Sequence, residues 1–170
     1  MSGLALTAAL AACNQSTNTG DTQNQDSTAN TSVPAEIKDG DTEQVYKHYI
    51  NLKDILVESN VAEAQTAAKE LASALIKIEG CENTAALATK VANTSDIKVQ
   101  RFNFTALSSD IIALVKHTEI ASGSIYVQYC PMANEGKGGY WLASETAIRN
   151  PYYGDKMLNC GEVKDTIKKK

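Results

Sequence analysis

Apolar residues recur at helical spacing through the middle of this chain, in four runs separated by capping residues, and this limits the fold to helix packed on helix. The first run opens at Asp41, placed to N-cap with Gln44 three residues on, as in a capping box. Val45, Tyr49, Leu52 and Leu56 then share one face, and Ser59-Asn60 stops the run. Asn60 caps the second run, with Glu63 at its third position. Ala64, Ala68, Leu71, Leu75 and Ile78 form its stripe, and Gly80 ends it. Its many alanines permit close approach of a neighbouring helix. Asn83 to Ala92 predicts a shorter helix with Leu87 and Val91 inward. Asn93-Thr94-Ser95 breaks it and caps the fourth, whose stripe is Ile97, Phe104, Leu107, Ile111, Leu114 and Val115, ending near Ser122-Gly123. Short connections imply antiparallel neighbours. The expected class is therefore mainly α, an antiparallel up-and-down four-helix bundle.

A small β-hairpin and a turn-rich segment are expected to follow. Ser124 to Tyr129 is β-branched and aromatic, and a Gly-rich turn from Glu135 to Gly139 leads into Tyr140-Trp141-Leu142-Ala143. Asn150-Pro151-Tyr152-Tyr153-Gly154 is dense in turn formers, and the polar, basic tail from Glu162 to Lys170 is expected to fray.

The first 36 residues have a different composition. Met1 to Ala12 is uncharged and apolar or small, too short to span a bilayer but suited to the core of a secretory signal. It ends Leu10-Ala11-Ala12-Cys13, the lipobox pattern in which a cysteine is acylated and becomes the new N-terminus. The basic n-region of such a signal is missing, since no Lys or Arg precedes Cys13. Asn14 to Ser32 holds no aliphatic residue larger than Ala, so it cannot bury enough apolar surface to offset its ordering entropy. The expected organisation is a signal peptide over 1–12, a lipidated Cys13 with a linker to 36, and a folded domain over 37–170. Asn14 after the cysteine lacks the inner-membrane retention residue, Asp, so the expectation is an outer-membrane lipoprotein facing the periplasm. The domain is nearly neutral, with 16 basic and 17 acidic residues. A chain without a basic surface is not expected to bind nucleic acid.

Chemistry concentrates near the C-terminus. Five of seven tyrosines, the only tryptophan and two of four cysteines lie between Tyr126 and Cys160. Cys130-Pro131-Met132 and Met157-Leu158-Asn159-Cys160 each put a thiol within three residues of a thioether. Cys130, Met132, Met157 and Cys160 together would offer soft donors suited to Cu(I), the one candidate cofactor. The same two cysteines would equally serve as a disulfide, normal in an oxidising compartment and worth about 3 kcal/mol by loop closure. Redox cycling between the two states is a third reading, and all three stand on the residues alone. Cys81 reads as a half-buried free thiol, and His48 and His117 as structural or exposed. No Walker loop, paired Cys-x-x-Cys or Gly-x-Ser-x-Gly elbow is found, so the chain is not expected to be an enzyme.

Tyr129-Cys130-Pro131-Met132-Ala133, Gly139-Tyr140-Trp141-Leu142, Ile148-Arg149-Asn150-Pro151-Tyr152-Tyr153-Gly154 and Met157-Leu158-x-Cys160-Gly161 resemble the bacterial domain-of-unknown-function 3347 family. Tyr49-x-x-Leu52-Lys53-x-x-Leu56 and Phe104-x-x-Leu107-Ser108 fit it too, so the resemblance covers about 37 to 165. The family occurs as stand-alone envelope lipoproteins and fused to periplasmic adaptor subunits of copper and heavy-metal efflux pumps. The resemblance implies a helical domain associated with metal export, with an efflux component as partner. It adds weight to Cys130, Met132, Met157 and Cys160 as ligands. It leaves Trp141, Asn150, Pro151, Tyr152 and Tyr153 as further candidate site residues, core or partner surface. Many members carry His and Met between the second and third helices, where this chain has Gly80-Cys81-Glu82-Asn83.

Overall fold

The computed structural model describes residues 34–170; Cys13, the expected signal peptide and most of the expected linker lie outside the described residues. A short strand, β1 (Glu36–Ile37), precedes four main helices packed in sequence: α1 (Gly40–Val57), α2 (Val61–Leu75), α3 (Glu82–Ala92) and α4 (Ile97–Lys116). β2 (Ile120–Ser122), β3 (Ser124–Cys130), β4 (Gly139–Ala143) and β5 (Glu162–Lys168) follow, with a 3-10 turn at Gly154–Met157. The mainly helical class and the C-terminal hairpin are as the sequence indicates.

The helix starts are set by side-chain caps. Asp39, not Asp41, caps α1, accepting from the Thr42 amide at 2.8 Å. Asp41 falls in the first turn, where its charge favours the helix dipole. Asn60 caps α2 through the Glu63 amide at 3.2 Å, as expected. Asp96, rather than Asn93-Thr94-Ser95, caps α4 through the Lys98 amide at 2.8 Å. α4 also ends earlier than its apolar pattern suggests, at Lys116 with His117 as C-cap. The chain turns there into β2, where Ile120 pairs with Ile37 and is buried.

The C-terminal sheet is larger than a hairpin. β3 is its centre, antiparallel to β4 on one side and β5 on the other. The tail expected to fray is this third strand: Ile167 lies opposite Ile125, and Lys116 ion-pairs with Asp165 at 2.7 Å. Its exposed, charged residues hid the signal, since only Ile167 faces the core side.

The core runs unbroken from bundle to sheet. Tyr49 stacks on Phe104 at 5.4 Å, Phe104 meets Tyr152 at 5.9 Å, and Tyr152 meets the edge of Trp141 at 6.0 Å. The Tyr49 hydroxyl shares a hydrogen with Ser108 at 2.7 Å and accepts the Leu142 amide at 3.1 Å, tying α1, α4 and β4 at one buried point.

Candidate functional site

The sulfur-bearing segments meet at the end of β3. Cys130 is the last residue of that strand, fully buried and opposite Gly139. Cys160 is half-buried and follows the 3-10 turn, its amide donating to the Met157 carbonyl at 3.0 Å. The two Sγ atoms lie 2.8 Å apart as free thiols with no bond between them. The neighbouring Cys130 thiol pushes the Cys160 thiol up from its ordinary value; burial adds to this, and a hydrogen bond from the Met132 backbone opposes it.

Asn150 explains how Cys160 reaches this position. Its buried side-chain amide donates to the Cys160 carbonyl at 2.9 Å, and its side-chain oxygen accepts the Tyr152 amide at 2.8 Å. Its backbone amide donates to the Leu158 carbonyl at 2.9 Å, and its carbonyl accepts from Gly154 at 3.0 Å. Pro151 leaves its carbonyl to Arg101 Nε at 2.8 Å. This turn is therefore a latch that holds the Cys160 backbone against β3. Gly161 permits the approach, since at φ +148° any Cβ would lie 2.9 Å from the Trp141 ring and from the Tyr129 carbonyl.

The thioethers are placed differently. Met132 is 51% exposed and Met157 half-buried, while the Tyr153 hydroxyl donates to the Met132 carbonyl at 2.5 Å. Two thiolates on one tetrahedral metal, each at ~2.3 Å, hold their sulfurs roughly 3.8 Å apart. The donor chemistry of Cys130 and Cys160 thus suits a soft metal, but their present spacing leaves no room for one between them. Among the described residues, no group of three or more His, Cys, Asp or Glu could hold a metal ion.

Of the aromatic candidates, Trp141 and Tyr152 are core, with the Tyr152 hydroxyl donating to the Tyr140 carbonyl at 2.7 Å. Tyr153 alone remains half-exposed. Cys81 is half-buried at the start of α3, its thiol pushed up by burial and by Glu82 and Asp110. His48 lies 3.6 Å from Glu70, and His117 is an exposed helix cap.

Two features escape a reading of the sequence. Lys53 is completely buried, its Nζ held by Asp54 at 2.7 Å and Glu145 at 2.9 Å. The signal for it was faint, a lysine beside the apolar stripe of α1. The second is a groove of about 470 Å³ between the first turns of α4, the turn after β3 and the 3-10 turn, with Phe102 exposed on it. Its signal was an aromatic residue off the α4 stripe, two positions before Phe104.

These features define a sequential four-helix domain closed by a small antiparallel sheet, with two thiols brought together at the sheet's end. Residues 45–123 match the family model described as "Protein of unknown function (DUF3347)", and the chain carries a domain of that family over those residues. The match spans most of α1 and all of α2, α3, α4 and β2, while both cysteines of the pair lie beyond it. No curated protein and no solved structure matches this chain.

Proposed function

We propose that this chain is a non-catalytic accessory module of the bacterial envelope, tethered through Cys13 to the outer membrane and facing the periplasm. A Cys130–Cys160 disulfide staples its C-terminal end. The observation that carries the reading is the 2.8 Å approach of the two Sγ atoms, held by the Asn150 latch. Oxidation joins the sulfurs and releases two protons and two electrons to a disulfide-donating oxidoreductase of that compartment. The staple would fix the sheet end and its neighbouring turn while the helices carry the fold. The test is alkylation and mass spectrometry of protein isolated from the bacterial envelope. Blocking of Cys81 alone, with two hydrogens missing from the chain, is expected. Alkylation of Cys130 and Cys160 as well would sink the staple. For the tether, Cys13→Ala should release the protein from membranes, and unchanged fractionation would count against the anchor.

One observation favours a second reading, soft-metal binding beside an efflux system. The converging pair is a soft-donor set, and each thiol has a thioether within three residues. Reduced protein would then take Cu(I) after the thiols part. Titration of reduced protein with Cu(I) against a competing chelator tests it. Cys130→Ser and Met157→Leu should each weaken binding, and unchanged affinity in both would remove the metal reading.

A further inference from the structure

We infer that the groove beside Phe102 is the docking surface of the module, and that its partner is an acidic protein segment carrying an aromatic or aliphatic anchor. This rests on reading the domain as an interaction module but not on the disulfide.

The apolar part comes from α4 and the turn facing it. Phe102 is 69% exposed, and it belongs to an apolar depression rather than standing alone on the surface. Ile97, at the start of α4, and the half-buried Tyr153 line the same depression. Aromatic side chains on a preformed surface are the usual anchors of binding energy. Volume agrees, since about 470 Å³ admits one or two inserted side chains but not a folded element.

The charge identifies the partner. Lys98, Lys137 and Lys156 line the groove from three separate segments, all exposed. Among the described residues none of the three is ion-paired, so their charges are open to a partner; what sets them apart from other unpaired lysines is that they converge on one groove. Arg101 also lines the groove, but its guanidinium is committed to Pro151, Leu56 and Ser59. Glu135 is the one carboxylate among the lining residues. On a domain of 16 basic and 17 acidic residues, such a local excess is not a property of the whole surface.

The turn that carries Glu135 is itself held in place. Asn134 and Glu135 both have left-handed backbone, at φ 52° and 60°, which costs each residue about 1 kcal/mol or more. Asn134 is fixed by accepting from the Thr105 hydroxyl at 3.0 Å and donating to the Gly138 carbonyl at 2.9 Å. One wall of the groove is therefore rigid before any partner arrives, which lowers the ordering cost of binding.

The test measures fluorescence anisotropy of a labelled peptide of alternating glutamate and phenylalanine against the full chain, with the thiols in whichever state they are isolated. Saturable binding is expected, weakened roughly tenfold by Phe102→Ala. The combined Lys98→Gln, Lys137→Gln and Lys156→Gln variant should lose as much, together with most of its salt dependence. A charge-matched control, Lys69→Gln with Lys77→Gln and Lys90→Gln, should bind as the parent does. Absence of saturable binding would overturn the proposal, as would equal binding of a lysine–phenylalanine peptide. It would equally fall if the groove variants instead abolished self-association, or binding to phosphatidylglycerol vesicles. Since Phe102 is exposed, its substitution should leave the thermal midpoint unchanged. The alkylation pattern of Cys130 and Cys160 reports on the staple separately.

Discussion

Single residues in this protein carry more of the structure than their positions suggest, and Lys53 is the clearest case. A buried ammonium survives only with carboxylates against it, and Asp54 and Glu145 supply them. Burial by itself pushes the Glu145 carboxyl up, but hydrogen bonding from Ser144 and the charge of Lys53 outweigh it and hold it below its ordinary value. A depressed carboxylate stabilises the fold above its unfolded value and ceases to do so as pH falls through the folded one. Stability measured by urea unfolding should therefore decline as the solution is acidified below the ordinary carboxylate value of 4.5. Glu145→Gln should flatten that decline and cost about 2 kcal/mol at neutral pH, less than the loss of a sole partner because Asp54 remains. Gly154 is a second such residue. At φ +57° an added Cβ would lie 2.6 Å from the Val57 carbonyl and 2.8 Å from the Ser59 hydroxyl. Gly154→Ala should lower stability by more than about 2 kcal/mol and slacken the latch that positions Cys160. Calorimetry gives the first effect and the alkylation rate of Cys160 the second.

At the scale of elements, the helices follow local rules and the strands do not. Caps act within three residues, so Asn60→Ala should cost about 1 kcal/mol in chemical denaturation, and Asp39→Ala should also lower the denaturation midpoint. β5 depends wholly on a partner strand distant in sequence. Truncation after Gly161 uncovers Ile125 and removes the Lys116–Asp165 pair, so the thermal midpoint should fall. An unchanged midpoint would mean that the tail is as dispensable as its composition suggests. The helices were legible because an apolar stripe repeats within one segment, as in Leu71 and Leu75, and needs no knowledge of the partner. The exact cap was less so, because Asp39 and Asp41 carry the same side chain and only backbone geometry separates them.

The whole molecule is joined at Tyr49. Its hydroxyl meets Ser108 of α4 and the Leu142 amide of β4, so bundle and sheet share one hydrogen-bonded centre. Tyr49→Phe would leave the Leu142 amide buried without that acceptor, at a cost of about 1–3 kcal/mol. Because the loss strikes both layers, near-ultraviolet signals from Trp141 and unfolding of the helices should shift together. Separate transitions would show two independent units.

Neighbours along the chain decide four amphipathic helices, their approximate breaks, a hairpin of β-branched residues, and the gathering of thiols and aromatics near the C-terminus. Which of those side chains meet is settled by the fold. It places Trp141 and Tyr152 in the core, leaves Tyr153 half-exposed, and turns Asn150 into the latch for Cys160. It brings two sulfurs thirty residues apart in sequence to 2.8 Å. It also pairs a polar tail as a strand, buries a lysine among carboxylates, and leaves Phe102 uncovered beside three free lysines. The physical reason is one of range. Capping and periodicity act over a few residues, whereas ion pairing, burial and strand addition depend on groups that folding alone brings together.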